Sequence, residues 1–164
     1  MSERSVTHAT FVVERTYDAS PARVFAAWAQ PTAKARWFGP DDETDEYKLD
    51  FQVGGREVNR GSGPDGQVYT YDARYQDIVP EQRIVYTYDM HRGETRISVS
   101  LATVELKPEG AGTRLIFTEQ GAFLDGQDTP DLREQGTGSL LAALGADLER
   151  EPATALRAQP GKVS

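Results

Sequence analysis

From Phe11 to Pro40 the chain reads as a strand, a capped helix, a short second helix and a stop, and this opening constrains the fold more than any other stretch. Phe11, Val13 and Tyr17 alternate with Val12, Glu14 and Thr16, the period of a half-buried strand. Ser20 stands where an N-cap is needed. Pro21 follows at the first helical position, where a missing N–H costs nothing. Val24, Phe25 and Trp28 recur at helical spacing, Pro31 ends that helix, and Thr32 to Phe38 predicts a second one halted by Gly39-Pro40.

The remainder is strand after strand. Tyr47, Leu49, Phe51 and Val53 alternate, Gly54-Gly55 predicts a tight hairpin, and Arg56, Val58 and Arg60 return from it. Gly61 to Gly66 is a turn cluster, followed by a strand from about Gln67 to Val79. Pro80-Glu81-Gln82 leads to Ile84, Tyr86, Tyr88 and Met90, and His91 to Glu94 turns again. Arg96 to Leu106 is apolar on both faces, so its inward face stays open. Pro108 to Gly112 turns into Leu115, Phe117 and Glu119, and Gly121 to Asp128 reads as a loop.

Thr129-Pro130-Asp131 opens the last helix with a cap, a proline and an acid at the positive end of the dipole. Leu132, Leu140, Leu144 and Leu148 lie on one stripe, with Leu141 beside it. Gly136, Gly138 and Gly145 are costly in a helix interior, at about 1 kcal/mol each, which points to a backbone that comes close to something. From Pro152 the periodicity fades, and residues 151–164 are expected to form a mobile tail. Six consecutive strands with short turns make an antiparallel meander, and the single long helix must bury its stripe on that sheet.

Composition excludes several chemistries. The chain has 164 residues, 38% of them hydrophobic, enough for one domain with a sizeable core. A net charge of −8 makes it a poor binder of nucleic acid and of anionic membrane surfaces. With no cysteine there is neither a disulfide nor a thiolate nucleophile. No apolar run approaches membrane-spanning length, and the first residues lack a signal-peptide core, so a cytoplasmic location is expected. His8 and His91 form no metal-ligand pattern and read as surface residues. The run Asp41 to Glu46 lacks the glycine and terminal glutamate of a calcium loop and reads as solvated. No metal or other cofactor is expected.

Ser20 to Trp28, Trp37-Phe38-Gly39-Pro40, Val53-Gly54-Gly55-Arg56, Ala73 to Tyr88, Gly112 to Glu119 and Gly136 to Leu141, in that order, resemble the START-like (SRPBCC) superfamily. Within it they are most similar to the branch of the C-terminal domain of activators of the heat-shock-protein ATPase. The resemblance covers about residues 8–150, taken as one domain, with boundaries good to about 2–4 residues. It implies an α+β helix-grip fold, a seven-stranded antiparallel sheet wrapped round the C-terminal helix with a cavity between them. It implies a hydrophobic or amphipathic small-molecule ligand. Polyketide cyclase or dehydratase activity and a chaperone partner are the alternatives found among such proteins, and a homodimer is a further alternative. Relatives often carry Trp after the glycine of the last helix; here Thr137 stands there, which leaves more room.

The candidate ligand-binding residues follow from this frame. Tyr69, Tyr71 and Tyr75 share one strand face, and Tyr86, Tyr88 and Met90 share the next. With Phe117 they make either a pocket wall, where phenols orient a ligand, or ordinary β core. Glu119 falls on the face of Leu115 and Phe117 and is expected to point toward the helix, as a ligand contact or a rim residue. Arg15 is a weaker candidate for a facing counter-charge. Trp37 and Phe38 would close one mouth, Phe123 would belong to a lid loop, and Leu141 and Leu144 would form the helix side. No GxSxG, HExxH or Ser/His/Asp arrangement is present, so no residue is assigned as catalytic and binding is favoured over catalysis.

Overall fold

The computed structural model describes residues 3–39 and 46–163, with side chains as far as Arg150; Pro40 and the acidic run from Asp41 to Asp45 lie outside the described residues. The elements are β1 (Val6–Tyr17), α1 (Pro21–Ala29), α2 (Pro31–Phe38), β2 (Glu46–Leu49), β3 (Arg56–Ser62), β4 (Val68–Val79), β5 (Arg83–Arg92), β6 (Thr95–Glu109), β7 (Gly112–Leu124) and α3 (Pro130–Val163). The strands form one antiparallel sheet in the order β1-β7-β6-β5-β4-β3-β2. This is the α+β helix-grip layout: β2 to β7 meander, and β1 closes the sheet beside β7 at the far edge.

Local chemistry sets the helix ends. Ser20 Oγ accepts from the Arg23 N–H at 3.2 Å, and Thr129 Oγ1 accepts from the Leu132 N–H at 3.2 Å. Trp37 Nε1 donates to the Ala27 carbonyl at 3.0 Å, and its ring meets Trp28 edge-on at 4.9 Å. Those two contacts clamp α2 on α1. The core lies between sheet and α3 and includes Val24, Trp28, Ile84, Val104, Leu115, Leu144 and Leu148.

Several expectations are corrected. The alternation through Val53 overextends β2, which stops at Leu49. Asp50 to Gly55 instead coil into a turn, with Gly55 N–H bonded to the Gln52 carbonyl and Gly54 N–H to that of Tyr75. Phe51 leaves the strand and packs its ring edge-on against Tyr75 and Phe25. Gly121 does not end β7. The strand continues to Leu124, paired with both neighbours, and a side chain at position 121 would collide with the Phe123 ring and Ser100 Oγ. Phe123 is therefore a buried strand residue and not part of a lid. Leu132 is 60% exposed, because the first turn of α3 overhangs open space rather than the sheet core.

Gly145 answers one of the glycine questions. A Cβ there would sit 3.1 Å from Tyr17 Cε1, and Tyr17 Oη donates to the Leu141 carbonyl of α3 at 2.7 Å. The glycine lets the helix settle on that ring, which holds α3 against β1.

Candidate functional site

A cavity of about 690 Å³ lies between the first turns of α3 and the concave face of the sheet. β4 and β5 supply Tyr69, Tyr71, Tyr86, Tyr88 and Met90, and β7 supplies Phe117. Trp28, Trp37 and Phe38 close the end nearest α1 and α2. Gly136, Thr137, Leu140 and Leu141 form the helix side. The exposed lining residues, Ser62 at the end of β3, Pro64 of the β3–β4 turn, and Leu132 and Gly136 of α3, mark the opening. Nothing stands within 4 Å of where a Gly136 side chain would begin, and the neighbouring residue is the short, buried Thr137. The space exists because the helix carries small residues opposite a wall of rings.

The candidate residues separate into two groups. Trp37, Phe38, Tyr69, Tyr71, Tyr86, Tyr88, Met90, Phe117 and Leu141 line the cavity. Trp37 is buried and walls the inner end, so it is not a gate at the mouth. Tyr75, Glu119, Phe123 and Leu144 are buried behind the wall. Arg15 lies on the inner-face alternation of β1, but at the sheet edge it is exposed, with its guanidinium bonded to the Glu14 carbonyl. It is not a counter-charge for Glu119.

That counter-charge is Arg133, which the periodicity of α3 gave no reason to single out. Glu119 Oε2 accepts from Tyr88 Oη and Ser100 Oγ, each at 2.7 Å, and from Arg133 Nη1 at 3.3 Å. Arg133 Nη1 also donates to Tyr88 Oη at 2.9 Å, and Nη2 donates to Ser98 Oγ and Asp128 Oδ2, each at 2.8 Å. The guanidinium lies over the rings of Tyr88 and Phe123, at 5.6 and 5.2 Å from their centroids. Burial raises the Tyr88 phenol above its ordinary range, and the nearby Glu119 charge adds to this. The phenol is thus held protonated, with its oxygen at the cavity wall.

A second buried polar cluster lies behind Phe38 and Trp37. Lys34 Nζ donates to both oxygens of Glu57 at 2.9 Å, and Tyr75 and Tyr47 hydroxyls donate to the same carboxylate at 2.8 and 2.6 Å. The ammonium faces the rings of Phe38, Trp28 and Trp37 at 4.4, 5.0 and 5.7 Å. Burial pushes Lys34 below its ordinary range while Glu57 pulls it back up. Sequence reasoning missed this pair, since a lone Lys in a short helix and a Glu in a strand both look solvated. Among the described residues no three His, Asp or Glu side chains converge as metal ligands would, and no helix is long and apolar enough to cross a membrane.

Comparison with known proteins agrees with this fold. A solved structure of a protein from Rhizobium leguminosarum is 49% identical, covers 92% of this chain and 100% of its own, and superposes with a TM-score of 0.87. Mll3558 from Rhizobium loti is 52% identical over 87% of this chain and 99% of its own, with a TM-score of 0.82. SA2116 from Staphylococcus aureus, at 19% identity and a TM-score of 0.71 over 90% of this chain and 98% of its own, shares the fold. No curated protein matches the chain. The family model described as Activator of Hsp90 ATPase homolog 1-like protein matches residues 18–149. The chain belongs to that family, with its START-like helix-grip fold.

Proposed function

We propose that this protein binds a small hydrophobic or amphipathic molecule in the cavity between sheet and α3, and that it does so in the cytoplasm. The observation that carries this reading is the cavity itself: about 690 Å³ within a small domain, with eight aromatic side chains in its wall. That volume falls within the roughly 300–1,000 Å³ of ordinary ligand sites. Binding would come chiefly from apolar burial, at about 25 cal/mol per Å², with the Tyr88 hydroxyl giving orientation. A thermal-shift or native mass-spectrometry screen with lipids, isoprenoids and polyketide-like aromatics tests it. The expected result is a saturable stabilisation that disappears when the cavity is filled; its absence across all three classes sinks the reading.

One observation favours a second, enzymatic reading of the cyclase or dehydratase kind. Tyr88 Oη stands at the wall, donating to Glu119 and accepting from Arg133, as a proton-relaying group would. Unchanged turnover of an identified substrate in Glu119→Gln would exclude that role.

A further inference from the structure

The charges around the cavity are unequal at its two ends. At the α2 end Lys34 and Glu57 cancel. At the α3 end one guanidinium, Arg133, faces two carboxylates, Glu119 and Asp128. Both terminal nitrogens of Arg133 are committed to Tyr88, Glu119, Ser98 and Asp128, so the guanidinium offers no free fork to an incoming acid. Glu119 is wholly buried behind the cavity wall, so it acts on the cavity through its charge rather than by contact. Asp128 itself lines the cavity. The wall between these groups presents the rings of Tyr71, Tyr86, Tyr88 and Phe117, whose faces attract cations.

We infer that the α3 end of the cavity is a head-group site for a hydrogen-bond donor, a protonated amine in its preferred form, carried on an apolar body, and that it rejects carboxylates. This deepens the ligand-binding reading and rests on it. The excess negative charge sits in a poorly solvated wall, where it is screened far less than on the surface. A carboxylate entering there meets Asp128 and a saturated arginine. An ammonium meets Asp128, π-faces and the field of Glu119.

The test uses matched probes that differ only in head group: decylamine, decanol and decanoate, with the corresponding naphthylethyl amine, alcohol and naphthylacetate. Calorimetry near pH 7 keeps the amines cationic and the acids ionised. The expected result is that amines bind at least about tenfold more tightly than acids, with alcohols between. The preference is expected to shrink in Asp128→Asn and to vanish in Thr137→Trp, which fills the cavity. Equal binding of the three heads, or tighter binding of the acids, overturns the head-group inference while leaving the cavity reading intact. An amine preference that persists in Thr137→Trp also overturns it, since the protein's net negative charge would then be the cause. Failure of every probe in both series removes the cavity reading and the inference together.

Discussion

Lys34 Nζ lies 2.9 Å from both oxygens of Glu57, and neither side chain reaches solvent. This pair ties α2 to β3 behind the aromatic end of the cavity, and it is worth more as a pair than either member alone. Removing one charge strands the other in a medium that cannot solvate it. Lys34→Met is expected to destabilise the fold by about 3–5 kcal/mol in denaturant titration. The double variant Lys34→Met/Glu57→Gln, which keeps an acceptor for one of the Tyr47 and Tyr75 hydroxyls and offers an N–H donor to the other, is expected to recover at least half of that loss. Equal destabilisation by the single and double variants would show that packing, not charge pairing, sets the cost.

The contact between Gly145 and the Tyr17 ring predicts a change of sign. A methyl at 145 normally helps a helix by about 1 kcal/mol. Here it would press on a ring that its own hydrogen bond to Leu141 prevents from retreating. Gly145→Ala is expected to destabilise the native protein and to stabilise the Tyr17→Ala background. A double-mutant cycle by chemical denaturation measures that coupling; strict additivity would show that ring and helix do not constrain each other.

Alkali should unfold this protein through its tyrosines. Burial raises the phenols of Tyr17, Tyr47, Tyr71, Tyr75, Tyr86 and Tyr88 above their ordinary value, with Glu57 adding to the shift at Tyr47 and Tyr75. The folded state therefore holds protons that the unfolded state releases. Their stabilising contribution is complete below about pH 10 and is lost as pH rises further. Lys34, shifted in the opposite sense, adds stability as pH rises toward its ordinary value of about 10.5 and contributes no further change above it. The measurement is tyrosinate absorbance followed alongside circular dichroism. Tyr69, half-exposed and bonded to Asp65, is expected to ionise first, and the rest together with unfolding. Gradual ionisation of several tyrosines in a protein that stays folded would contradict the burial described.

Filling the cavity should separate stability from binding. Thr137 borders the empty space beside Gly136, so Thr137→Trp places a ring where atoms are lacking. The melting temperature is expected to hold or rise by a few degrees, since added apolar contact contributes about 25 cal/mol per Å². Binding of any cavity ligand should weaken by at least about tenfold. Differential scanning fluorimetry with and without ligand reads both effects. A variant that melts normally and binds normally would place the ligand elsewhere.

The sequence by itself determined what depends on local rules. The period-two runs, the Ser20 and Thr129 caps with their prolines, and the turn residues specified the order of elements and hence the meander with one closing helix. They also marked the tyrosine faces of β4 and β5. The tertiary structure decided what depends on partners distant in the chain. β6 is apolar on both faces, and alternation could not orient it. It turns Ser98 and Ser100 inward and leaves Val99 and Leu101 outside, because those hydroxyls satisfy Arg133 and Glu119. Lys34, Glu57 and Arg133 resemble surface residues until their partners, 14 to 23 positions away, are brought beside them. Burying a charge is unfavourable alone and tolerable only in company, and which residues keep that company is settled by the folded chain.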